Sequence, residues 1–346
     1  MNPALIHFYS DRNVGDAAIL AALSRLAGVR GFDVLGPNDK ARAAEASALI
    51  SVGGDIFNNA RPGLVTRRFL SKLSQLRWAP QKTMLFGQSI PPSCDGVALN
   101  LLAKHLRRIS SVTVRDPQSV EKLSGRGFKV GLSVDNVFAL RPEDADLKNA
   151  HAMFEGAGLV AADTAVFSIR SFNHMYPTDE ADYMRRMVDT MVRLSDAGLS
   201  VAVLLQADVD EADSDRTLCE ALRQQFSRLK ILDPFQADGE PWRVALGALG
   251  EARTVIGTRY HTAIFRMVMG RMPVGLWYSN KGEDLHRRFH VPGSTSDGFN
   301  PAVIAPMALR HANSSFDAEA LRAQVERDFD AAIDQIHNTL LLSDAA

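Results

Sequence analysis

Short apolar runs alternate along the whole chain with longer stretches whose apolar positions recur every three or four residues. An unbroken apolar run suits a strand buried on both faces, and the longer period suits an amphipathic helix. Strand-sized runs fall at residues 4–9, 33–35, 48–52, 83–86, 111–114 and 129–131, and helical patterns at 16–27, 96–108 and 117–123. Asp116 suits the cap of the last of these, with Pro117 at its first helical position. The alternation restarts with strands at 165–169, 200–205, 230–232, 254–256 and 273–277, and helices at 179–197, 213–228, 242–249 and 260–269. Residues 294–300 are rich in turn formers, and a closing helix is expected over 316–340. There Leu321, Val325, Phe329, Ile333, Ile336 and Leu340 form one apolar stripe, with Ser315 able to cap and Asp317 and Glu319 suited to the first turn. Strand–helix alternation predicts parallel sheets with crossover helices. The polar stretch 141–149 marks a boundary, so two doubly wound, Rossmann-like domains are expected at 1–145 and 155–315, followed by a C-terminal helix over 316–346. Two such halves predict a cleft outside the carboxyl ends of both sheets, which directs attention to polar residues following strands.

Charge and composition narrow the function classes. Lys plus Arg is 39 and Asp plus Glu is 40, a net charge of -1, so no global field recruits nucleic acid and an anion needs a local cluster. The two cysteines, Cys94 and Cys219, are far apart and in no metal-ligand spacing, which fits a reducing, cytoplasmic setting. The start of the chain lacks the charged and long apolar segments of a signal peptide, and no apolar run reaches the roughly 18 residues of a membrane span.

The strongest local signal is Gly257-Thr258-Arg259-Tyr260-His261-Thr262, between a strand and a helix. A helix start favours an anion, Arg259 adds a planar cationic fork, and His261 adds a group able to give or hold a proton near neutral pH. The structural alternative is that Arg259 caps carbonyls and His261 packs under the helix. Arg170 follows the strand at 165–169 and is expected on the same rim as Arg259, unless it is only a surface arginine. In the first half, Asn13-Val14-Gly15-Asp16 joins strand to helix, with Asp16 the expected helix cap. Gly53-Gly54-Asp55 and Gly87-Gln88-Ser89 also follow strands, making Asp55 and Gln88 acceptors for sugar hydroxyls or plain turn residues. Residues 61–82 hold Arg61, Arg67, Arg68, Lys72, Arg77 and Lys82 with Phe69 and Trp78 and no acid. That bias suits an anionic acceptor, peripheral contact with an anionic membrane, or a solvated helix face. No P-loop, dinucleotide fingerprint, zinc spacing or hydrolase elbow is present.

The blocks NVGDAAIL at 13–20, SVGGDIFNN at 51–59, FGQSIPP at 86–92, TVRDPQSVEKL at 113–123, FSIRSF at 167–172 and GTRYHTAIFRMVMGRMPVGLWYSNKGEDL at 257–285 run in the order seen in polysaccharide pyruvyl transferases, which the chain resembles to about residue 290. At 135–140, DNVFAL departs from the family pattern, with Asn136 in place of proline. The resemblance implies a fold similar to the glycosyltransferase-B kind, with the donor held by the second domain and the acceptor by the first. It implies phosphoenolpyruvate as donor, with no metal, nucleotide or other cofactor. Arg170 and Arg259 match the anion clamps, Tyr260 and His261 the remaining donor contacts, and His261 the proton-transfer role. Lys281 can assist the phosphate, Asp16 or Asp55 can serve as base, and Asn13, Asp16, Asp55 and Gln88 are expected to face a saccharide or lipid-linked acceptor. The alternatives are a nucleotide-sugar glycosyltransferase of the same fold and a non-catalytic sugar- or anion-binding relative.

Overall fold

The computed structural model describes residues 2–59, 65–127, 129–172, 178–210 and 214–344. It divides into two compact units. Unit 1 comprises residues 1–9, 19–140 and 319–346, and unit 2 comprises residues 10–18 and 141–318.

Unit 1 is built on a six-stranded parallel sheet: β1 (Ala4–Ile6), β2 (Asp33–Leu35), β3 (Leu49–Ser51), β4 (Thr83–Gln88), β5 (Ser111–Val114) and β6 (Gly131–Leu132), in the order β2-β1-β3-β4-β5-β6. The central strands are short apolar runs because helices cover both faces. Phe57, Phe69, Leu85, Leu99 and Leu102 belong to one buried core. The closing helix, Glu319–Asp344, is part of this unit. Its predicted stripe is seen in buried Val325, Phe329 and Ile336, and Phe329 meets Phe86 edge-on at 5.2 Å.

Unit 2 holds β7 (Thr164–Ser168), β8 (Ser200–Leu204), β9 (Lys230–Leu232), β10 (Thr254–Gly257), β11 (Val274–Trp277) and β12 (Gly293–Thr295), all parallel, in the order β12-β11-β10-β7-β8-β9. Strand order reverses between β7 and β10, which are neighbours, so the loops that follow these two strands flank the topological switch point. In open α/β sheets that is where ligands collect.

The sequence reading and the structure part in several places. Residues 293–295 form an edge strand on β11 although they carry no apolar alternation; pairing with a neighbour supplies what propensity does not. The polar stretch 141–149, which marks the expected boundary, lies largely in a helix, Asp144–Gly156, held at its start by a capping box between Glu143 and Asp146. After the turn formers the chain forms helix Pro301–His311, which Asn300 caps by accepting from Ala302 N at 2.9 Å and Pro301 opens. The first helix is Val14–Leu26, and its cap is Asn13 rather than Asp16, which lies in the first turn.

Candidate active site

Arg259 stands between β10 and helix Tyr260–Val268. Its backbone N donates to Ser168 Oγ at 3.2 Å, tying the end of β10 to the end of β7. Its side chain closes on Asp215: Nε lies 3.1 and 3.0 Å from the two carboxylate oxygens, and Nη2 lies 2.5 Å from Oδ1. This ion pair is the feature that sequence reasoning missed. Asp215 has no motif to announce it, and it sits far from Arg259 in the chain.

A pocket opens at this helix start, and its wall includes Arg259, Tyr260, Trp277, Tyr278, Lys281 and Leu285. The Lys281 ammonium stands 5.5 Å from the centre of the Tyr260 ring. Trp277 stacks on His286 at 4.8 Å. Arg170 does not line the pocket itself but lies against its Tyr278 wall: Nη1 donates to the Tyr278 hydroxyl, and the guanidinium stands 4.7 Å over the ring. Arg170, Arg259, Tyr260 and Lys281 are thus brought to one end of the unit 2 sheet.

His261 is in the first turn of the same helix, its ring 5.4 Å from that of Tyr260 and edge-on to it. It packs against Gly15. A Cβ at Gly15 would stand 2.1 Å from His261 Nδ1, so only glycine admits the imidazole there. The turn that carries Gly15 belongs to unit 2, a correction to its expected place in the first domain. Backbone bonds Val14 N to Gln206 O and Asp208 N to Arg12 O, both at 2.9 Å, pin it to the segment after β8, and Arg12 pairs with Asp208 at 2.5 Å. Asn13 uses its side-chain oxygen on the N–H groups of Gly15 and Asp16, at 3.1 and 3.4 Å. Its role in the structure is therefore to shape this turn.

The family model for polysaccharide pyruvyl transferases matches residues 13–280. The chain belongs to that family. The amylovoran biosynthesis protein AmsJ of Erwinia amylovora is 23% identical over 264 residues, a match that spans 72% of this chain and 61% of AmsJ. Among solved structures, the UDP-GlcNAc 2-epimerase of Methanocaldococcus jannaschii aligns with a TM-score of 0.61 at 10% identity, covering 96% of this chain and 99% of that one. Anabaena Alr3699/HepE, solved with UDP and glucose, aligns with a TM-score of 0.55 at 10% identity, covering 100% and 99%. At such identities the likeness is one of fold, two parallel α/β units of the glycosyltransferase-B kind.

In unit 1 the chain carries a second polar group. Arg115, almost wholly buried, pairs with Asp135 at 2.5 Å, donates from Nε to Ser89 Oγ at 2.8 Å, and stands 3.5 Å from Asp55, whose side chain is 23% exposed. Asp55 is therefore held by a cation and open to one side. Gln88 is a correction. It is fully buried, and Nε2 donates to Ser51 Oγ and Val52 O, both at 2.5 Å, so its amide serves the sheet and not a sugar. Asn136, at the departure from the family pattern, is buried and donates to Phe86 O at 3.2 Å.

His7 follows β1. It is buried at φ 72°, with Nε2 donating to Lys72 O at 2.9 Å and Nδ1 accepting from Ser51 Oγ at 2.7 Å. Burial holds its imidazole neutral, with the pKa lowered to about 3.

The basic stretch is less uniform than its composition suggests. Arg61 lies outside the described residues. Helix Arg67–Gln75 buries Phe69, while Lys72 donates to Ile56 O and Lys82 to Ala44 O and Ala46 O, both at 3.1 Å. Arg67, Arg68 and Arg77 are exposed, and Arg68 stands 5.7 Å over the Tyr9 ring. Among the described residues no helix is long and apolar enough to cross a membrane, and no group of three or more His, Cys, Asp or Glu side chains could hold a metal ion.

Proposed function

We propose that this protein transfers a pyruvyl group from phosphoenolpyruvate to two hydroxyls of a saccharide or lipid-linked sugar, forming a ketal and releasing phosphate. The observation that carries the reading is the convergence, in a member of this family, of Arg259, Tyr260 and Lys281 on one pocket at a helix start, with Arg170 against its Tyr278 wall. A small substrate with a carboxylate and a phosphate needs two separated cationic groups, and arginine forks match both anions.

In this reading a proton is added to C3 of the donor, leaving an oxocarbenium-like C2. One sugar hydroxyl adds at C2, phosphate departs, and a neighbouring hydroxyl closes the ring, each hydroxyl losing its proton. His261 is the acid that protonates C3. Asp16, on the turn beside His261, is the carboxylate to take a hydroxyl proton. Arg170 and Arg259 stabilise the carboxylate and the departing phosphate, and Lys281 assists the phosphate. The mechanism asks for no cofactor. On unit 1, Asp55 offers a fixed acceptor for a sugar hydroxyl, and Arg67 and Arg68 offer charge to an anionic carrier, which would bring the enzyme to the inner face of a membrane.

The test is incubation with phosphoenolpyruvate and a panel of lipid-linked and aryl glycosides. Phosphate release matched by the mass gain of one ketal on the sugar is expected. Transfer from a UDP-sugar, with phosphoenolpyruvate inert, would overturn the reading in favour of a glycosyltransferase.

A further inference from the structure

Asp215 immediately precedes helix Arg216–Gln225, where an aspartate ordinarily caps the helix by accepting from its first N–H groups. It does not do so here: its side chain makes no capping bond. The carboxylate, 1% exposed, instead accepts from Gln206 N at 3.0 Å, from Ala207 N at 3.1 Å, and from the Nε and Nη2 of Arg259. The bonds then run on in a circuit. Gln206 Nε2 donates to Thr262 Oγ1 at 2.7 Å, Thr262 Oγ1 donates to Ser168 Oγ at 2.6 Å, and Ser168 Oγ accepts from Arg259 N. Ser168, Gln206, Asp215 and Thr262 are all buried. Arg259 is thereby held at its backbone and at its guanidinium by one closed set of bonds, which ties the ends of β7, β8 and β10 together.

We infer that Asp215 is a positioning residue for the donor site: it holds the Arg259 guanidinium at the orientation in which the cation meets the donor's anion. The inference rests on the phosphoenolpyruvate reading above. Three physical points support it. A long arginine side chain loses much rotamer freedom on binding an anion, and a carboxylate that already fixes it removes that cost before the donor arrives. Two donors on one edge of a planar fork also set its plane, because the guanidinium presents its N–H groups in rigid geometry. Finally, buried acceptors with satisfied partners have little room to shift, so the orientation persists in the empty site.

The same segment after β8 connects Asp215 to the proton-transfer side. Gln206 donates its backbone N–H to Asp215 and accepts at its carbonyl from Val14 N, next to the Gly15 that backs His261. Asp215 therefore stands at the junction between the arginine and the turn that packs on the histidine.

The test measures phosphoenolpyruvate affinity by calorimetry in wild type, Asp215→Asn, Arg259→Ala and the double variant. Asp215→Asn is expected to weaken donor affinity about tenfold, the size of effect typical of residues that act on a ligand through another. In the Arg259→Ala background the same change should add nothing, because the group it orients is gone. A general fold defect would instead lower affinity in both backgrounds. Asp215→Glu guards against loss of folding: it keeps the charge, displaces the guanidinium, and should weaken binding at least about threefold with a cooperative melt retained. Affinity within twofold of wild type in folded Asp215→Asn or Asp215→Glu, or an equal loss in both backgrounds, would overturn the role of Asp215 while leaving the donor assignment standing. A wild-type protein that gives no binding with phosphoenolpyruvate would overturn both.

Discussion

Arg170 and Arg259 differ in how much of the fold depends on them, and that difference shapes their tests. Arg259 is paired with a buried carboxylate, so Arg259→Ala leaves that charge without its cation and should cost stability as well as donor affinity. Arg170, half-buried against Tyr278, is the cleaner probe. Arg170→Ala is expected to weaken phosphoenolpyruvate binding by about 2 kcal/mol, the scale of a charge-assisted contact, and unchanged calorimetry for both variants would exclude the clamp. His261→Ala should lower turnover about 100-fold with donor affinity largely kept. Gly15→Ala tests the same group from behind: its Cβ would stand 2.1 Å from Nδ1, so the imidazole must move. Turnover in Gly15→Ala should fall toward that of His261→Ala, and wild-type rates in either would leave His261 as a packing residue. His7 bears on stability instead. Its pKa falls from 6.5 to about 3 because burial disfavours the imidazolium. Below pH 6.5 the unfolded chain takes up a proton that the folded chain refuses until near pH 3, so stability is lost as pH drops through that window. The slope approaches about 1.4 kcal/mol per pH unit from this group. Denaturant melts of His7→Asn, an exchange that tolerates positive φ, should show a flatter pH dependence between pH 6 and 4.5. An unchanged slope would assign the acid sensitivity to other groups.

At the scale of elements, helix Arg67–Gln75 shows how one charged stretch splits into different roles. Phe69 and Leu73 face the unit 1 core, and Lys72 and Lys82 close backbone carbonyls, which leaves Arg67, Arg68 and Arg77 outward. A charge-reversal test should therefore spare Lys72. Arg67→Glu with Arg68→Glu is expected to raise the acceptor KM for a lipid-linked sugar, or to release the protein from anionic vesicles, with phosphoenolpyruvate affinity unchanged. Both effects should weaken with salt, since exposed charges are screened over about 8 Å at physiological ionic strength. Wild-type behaviour on both acceptor and vesicles would make the helix an ordinary solvated face. The start of helix Tyr260–Val268 is the contrasting element, where backbone N–H groups, Arg259 and the pocket wall coincide at the strand-order reversal of unit 2.

At the scale of the molecule, the two units are interleaved in sequence. Residues 10–18 interrupt unit 1 to join unit 2, and residues 319–346 return to unit 1 after unit 2 is complete. Helix Glu319–Asp344 is thus a structural part of unit 1, with Val325, Phe329, Ala332 and Ile336 buried and Arg322 Nε donating to Leu140 O at 3.3 Å. Ending the chain before Glu319 would bare that apolar face and the surface under Phe86. The truncated protein is expected to lose a cooperative melt, or to bind a hydrophobic dye and aggregate, at temperatures where the full chain is folded. A truncation that melts like wild type would show the helix to be an accessory.

Periodicity alone was enough to determine the alternation of strands and helices, the parallel α/β class and the apolar stripe of the last helix, because these follow from local spacing and from which residues can enter a core. It was also enough to put Arg170 and Arg259 after strands, since a residue's place on a strand's carboxyl end is a property of chain order. What it could not show depends on residues far apart in sequence. The edge strand at 293–295 exists through pairing with β11. The turn at 10–18 joins unit 2 through bonds to the segment after β8. Gln88 ends β4 and is hidden because Ser51 and Val52 come to meet it, although Gly87-Gln88-Ser89 reads as a turn open to a ligand. Asp215 falls inside the helical pattern at 213–228 with nothing local to mark it, and only the folded chain brings it to Arg259. A hydrogen bond of about 3 Å is decided by the packing of whole elements, which no local pattern of hydrophobic and polar residues encodes.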